Sequence, residues 1–127
     1  MESREELQAI LRERLDVLSG AGIIESEAEE EILSFAKKFM EDLTDPSREA
    51  FETLTTHMAM ALSRISNEDN DISMPDEVFE DIRTSDLYSR ADKNLKNWLP
   101  AYYDRLNTEE LKYILLHMLS IYEADRS

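Results

Sequence analysis

Apolar residues recur along this chain at intervals of three and four, and that recurrence divides it into helices. From Arg4 to Leu18 the stripe is Leu7, Ile10, Leu11, Leu15 and Leu18, with charged residues between. Ser19-Gly20-Ala21-Gly22 closes it, because glycine readily takes a left-handed cap conformation. Ile23 and Ile24 follow as a short apolar plug. A second helix is predicted from Ser26, with Ser26 and Glu29 as a capping box, to about Leu43. Its apolar positions are Ile32, Leu33, Phe35, Ala36, Phe39, Met40 and Leu43. Its first turn is crowded with glutamates, which suits the positive end of the helix dipole. Consecutive helical residues point in different directions, so these carboxylates read as a solvated helix start rather than a metal cluster.

Asp45 and Pro46 are expected to open a third helix that ends near Ser66. Phe51, Leu54, Met58, Ala61, Leu62 and Ile65 form its stripe. His57 lies beside that stripe, and Arg64, seven residues on, falls within about 20° of it around the helix. The polar run Asn67-Glu68-Asp69-Asn70-Asp71 lacks the glycine and closing carboxylate of a calcium loop. Met74-Pro75-Asp76 starts a short helix to about Arg83, and Thr84-Ser85 caps the next, with Leu87, Tyr88, Ala91, Leu95, Trp98 and Leu99. Pro100 should kink or break it. Asn107 with Glu110 signals the start of a last helix reaching about Glu123. Its stripe is Leu111, Leu115, Met118 and Tyr122, with His117 at the margin near Tyr113. No useful strand-like alternation occurs. The expected fold is all-α: one domain over 1–127, with an N-terminal helix and turn in 1–25 and a compact bundle of about five helices in 27–123.

Composition narrows the function classes. The 127 residues carry a formal charge of −15, which repels phosphate backbones and anionic membranes and favours basic protein surfaces. No cysteine is present, so a disulfide framework, a thiolate metal site and a cysteine nucleophile are excluded. The charged N-terminus is not a signal peptide, and no apolar run approaches the ~18 residues of a membrane span. A cytoplasmic protein without membrane insertion is expected. Glycine occurs only twice, so no phosphate-cradling loop is available, and no serine sits in a nucleophile elbow.

The two histidines, His57 and His117, both stand at the margin of a core face, and four roles are open to them. A metal site lacks the spacing that would fix its geometry. Acid–base catalysis lacks a supporting cofactor or nucleotide motif. Phosphoryl acceptance fits imidazole, which keeps a free lone pair near neutral pH, and an adjacent arginine could receive the new charge. The fourth role is structural, at the edge of the core.

Leu54-Thr-Thr-His57-Met-Ala-Met-Ala-Leu-Ser-Arg64 resembles the first histidine motif of the PTS regulation domain, or PRD. Asn107-Thr-Glu-Glu110-Leu-Lys-Tyr-Ile-Leu-Leu-His117-Met resembles the second. Thr56 stands where many relatives carry an acidic residue. The resemblance implies a five-helix bundle that dimerises. It implies a regulatory rather than enzymatic protein of a bacterial sugar-uptake system, with neither cofactor nor metal. Its phospho-acceptors would be His57 and His117, with Arg64 as a charge partner and Glu110 as a support for the second helix. The donor would be the histidine phosphocarrier protein or a sugar permease subunit of the phosphotransferase system. A stand-alone PRD would signal through protein contacts. The alternative is an acidic helical adaptor that keeps this fold without being phosphorylated.

Overall fold

A computed structural model describes residues 3–65 and 73–126, so the polar run at 67–71 and its calcium-loop reading lie outside the described residues. The order is α1 Arg4–Gly20, α2 Ser26–Glu41, α3 Arg48–Ser63, α4 Asp76–Arg83, α5 Tyr88–Trp98, a 3-10 turn Tyr103–Arg105, and α6 Thr108–Arg126. Among the described residues there is no strand. The fold is all-α, as the periodicity implies.

α1 ends in a glycine-dependent turn. Gly22 adopts φ +76°, the Gly22 N–H donates to the Ser19 carbonyl, and the Ile23 N–H donates to the Leu18 carbonyl. That double closure satisfies two carbonyls left over by the helix end and returns the chain to start α2. Leu7, Leu11 and Leu15 of α1 are buried in the same core as the other helices. The Arg4 guanidinium also donates to the carbonyls of Met40, Leu43 and Thr44, at the negative end of α2.

The helix starts depart from expectation in three places. Ser26 is already helical, and the preceding Glu25 gives no side-chain cap, so the capping box with Glu29 is absent. Glu29 is buried instead, 3.3 Å from Arg12 of α1, and is not part of a solvated acidic turn. At α3 the cap is Ser47, whose hydroxyl accepts the Ala50 N–H. Pro46 therefore precedes the helix, because the backbone N–H groups of Thr44 and Asp45 are taken by the Asp125 carboxylate of α6. Thr84 closes α4 through its hydroxyl on the Glu80 carbonyl, while Ser85 accepts the Leu87 N–H.

At Pro100 the helix breaks outright. α5 ends at Trp98, Leu99 leaves helical geometry, and the chain re-enters a helix at Thr108. α6 runs past Glu123 to Arg126, its last turn held by Asp125 and by an Arg126–Asp86 pair at 3.0 Å.

α3 lies against α1, α2 and α6, and α6 also receives α4 and α5. Phe39 of α2 is at the centre of the aromatic core. Its ring centroid lies 5.0 Å from Tyr122, 5.3 Å from Phe51, and 5.9 Å from both Phe35 and Trp98. This cluster joins α2, α3, α5 and α6, and so fixes the register of α3 against α6 on which the histidines depend.

Candidate functional site

On α3, His57 and Arg64 are seven residues apart; on α6, so are Glu110 and His117. Seven residues are about two helical turns, so each pair shares a face of its helix. The structure sets the faces against each other. The ring centroids of His57 and His117 are 5.2 Å apart, and two turns away the Arg64 guanidinium grips the Glu110 carboxylate. Histidine meets histidine at one end and arginine meets glutamate at the other, so α3 and α6 run antiparallel here.

Glu110 is the fixed point of the site. Only 1% of its side chain is exposed. Arg64 donates Nε to Oε1 at 3.2 Å and Nη2 to both oxygens at 3.0 Å. Such a fork anchors a buried carboxylate and orients it as well. Asn107 supplies the local cap by accepting the Glu109 N–H at 2.8 Å. Glu110 is thereby released from the helix start and turned toward α3. The expected support of the second helix is thus a tertiary ion pair between the two histidine-bearing helices.

His57 lies over this pair. Its Nε2 is 3.9 Å from Glu110 Oε2, is sealed from solvent, and has no hydrogen-bond partner. Tyr113 flanks the ring at 6.1 Å and is tied through its hydroxyl to the Ser73 carbonyl. Burial pushes the His57 pKa below its ordinary value; Glu110 pulls it up and Arg64 adds to the depression. Burial also lowers His117, and His57 lowers it further. Both imidazoles are therefore neutral near pH 7, the form that keeps a nucleophilic lone pair.

The sequence motifs missed one feature of this site: the direct link between Arg64 and Glu110. The repeated seven-residue spacing carried the signal for it, because matching the two pairs head to tail gives the antiparallel ladder. Among the described residues no group of three histidine, aspartate or glutamate side chains is arranged to hold a metal ion. Nor is any helix among them long and apolar enough to cross a membrane.

The described fold is all-helical, with two facing histidines above a buried arginine–glutamate pair. The family model for the PRD domain matches residues 29–121, and the chain belongs to the PRD family. It is a regulatory domain of the phosphotransferase-system type. The match begins within α2 and ends within α6. Searches of curated proteins and of solved structures return no match.

Proposed function

We propose that this domain receives phosphoryl groups on His57 and His117 from the sugar phosphotransferase system and passes the signal on through protein contacts. The donor is the histidine phosphocarrier protein or a sugar permease subunit. In this reading the protein acts in the cytoplasm as a substrate of phosphoryl transfer, with no catalytic reaction of its own.

The observation that carries the reading is the juxtaposition of two neutral imidazoles across the α3–α6 contact, beside an arginine. A phosphoryl group adds about −1.5 to −2 charge and strong acceptor oxygens. Set on the solvent-reached edge of His57, it offers the partly exposed Arg64 a second anionic partner besides Glu110. Arg64 is 27% exposed and has room to turn, whereas Glu110 is enclosed. Phosphorylation thereby loosens the ion pair that joins α3 to α6. Met60, one turn beyond His57 on α3, is an exposed apolar side chain that a shift of α3 carries with it. We propose that this face contributes to a homodimer whose arrangement changes on phosphorylation.

The test is incubation with the phosphorylated carrier, followed by a check for label that is acid-labile and alkali-stable. His57→Ala and His117→Ala should each reduce incorporation, and together abolish it. No label, with another PRD labelled in parallel, would contradict the proposal.

A further inference from the structure

We infer that Glu110 is a positioning residue that holds the His57 imidazole with its proton on Nε2, so that Nδ1 is the atom that takes the phosphoryl group. The second half rests on the proposed acceptor role of His57; the first half stands without it.

A neutral imidazole has one N–H and one lone pair, and its surroundings decide which nitrogen carries which. Here Nε2 faces inward, sealed, with no hydrogen-bond partner, and a carboxylate oxygen of Glu110 lies 3.9 Å from it. An ionised carboxylate only accepts hydrogen bonds. A bare lone pair at Nε2 would be repelled by it, whereas an N–H at that point is attracted. The Arg64 Nε and Nη2 groups, which could otherwise donate to a lone pair, bind Glu110. The gap exceeds hydrogen-bond length by roughly 1 Å, a distance a small rotation of the ring closes. The lone pair is therefore left on Nδ1.

Access selects the same atom. The His57 side chain is 23% exposed, but Nε2 contributes nothing to that exposure. An incoming phosphoryl donor has only Nδ1 to meet. In the transfer, the Nδ1 lone pair forms a bond to phosphorus of a phosphohistidine on the donor protein. The donor's P–N bond breaks, and its electron pair returns to the donor imidazole. The Nε2 proton stays on His57, and Glu110 offsets the positive charge the ring acquires. Among the described residues His117 has no carboxylate in the corresponding place: its neighbour is the His57 ring, at 5.2 Å. Positional control of this kind is therefore specific to His57.

Long-range proton–nitrogen correlation spectra of protein labelled with nitrogen-15 in histidine read the tautomer directly, at a pH where both rings are neutral. His57, assigned by loss of its signals in His57→Gln, should be wholly in the Nε2–H form, and Glu110→Gln should convert it to a mixture. An Nδ1–H tautomer in the wild-type protein would overturn the inference, with no variant needed. So would a tautomer unchanged in a folded Glu110→Gln protein. After phosphoryl transfer, isomer-selective antibodies should detect Nδ1-phosphohistidine in His117→Ala protein, and Nε2-phosphohistidine there would also overturn it. An Nε2–H tautomer with no phosphate on His57 supports the positioning role of Glu110 and contradicts the acceptor role alone.

Discussion

Arg64 and Glu110 are unequal partners, and that inequality is measurable residue by residue. Removing Arg64 leaves a carboxylate of 1% exposure without its guanidinium partner. Breaking a fully buried pair typically costs about 3–5 kcal/mol, and partial solvation of Arg64 reduces this to roughly 2–3 kcal/mol for Arg64→Ala. Glu110→Gln costs less, about 1 kcal/mol, since the arginine can turn to water. Urea unfolding should therefore rank Arg64→Ala below Glu110→Gln, with the double variant more stable than Arg64→Ala. The histidines set a pH dependence. Burial holds both below their ordinary value of 6.5, so as the pH falls the unfolded chain takes up protons before the folded one. Their contribution to stability is complete above pH 6.5 and is lost as the pH drops through the depressed values. The His57→Gln/His117→Gln protein should show a flatter unfolding free energy over that interval. Local patterns read Glu29 and Glu110 as helix-start residues, yet both are buried and face arginines of other helices. Arg64 is forty-six residues from Glu110, beyond the reach of any capping pattern.

At the level of elements, hydrophobic periodicity locates the six α-helices of the described residues, because each buries one stripe against its neighbours, but not the 3-10 turn at Tyr103–Arg105. The boundaries were less legible, for a physical reason. A helix starts where its free N–H groups find acceptors, and those acceptors come partly from distant segments. Asp125 binds the backbone at Thr44 and Asp45, so α3 starts at Ser47 rather than at Asp45-Pro46. The end of α1 was readable because its signal is local: only glycine takes the φ of +76° at Gly22 without strain. Gly22→Ala should destabilise the protein by about 1 kcal/mol, seen as a lower urea midpoint with an unchanged slope. Phe39→Ala removes the ring that joins four helices and should cost about 3–5 kcal/mol. Loss of register between α3 and α6 should follow, visible as weaker coupling between the His57 and His117 resonances.

For the whole molecule the governing quantity is the charge of −15. Two copies repel at long range, so the proposed dimer should tighten as salt screens that repulsion. Light scattering across a salt series should show a larger dimer fraction at higher ionic strength; a monomer at high micromolar concentration throughout would contradict it. The same charge steers basic surfaces toward the domain, so association with a basic donor should slow as salt is added. The central claim is that the α3–α6 histidine pair is the chemical input of this domain. The most direct test is peptide mapping by mass spectrometry after exposure to the phosphorylated carrier, under alkaline conditions that preserve phosphohistidine. Phosphate on the His57 and His117 peptides is the expected result. An unmodified chain beside a modified control PRD, or phosphate confined to other residues, would contradict the claim.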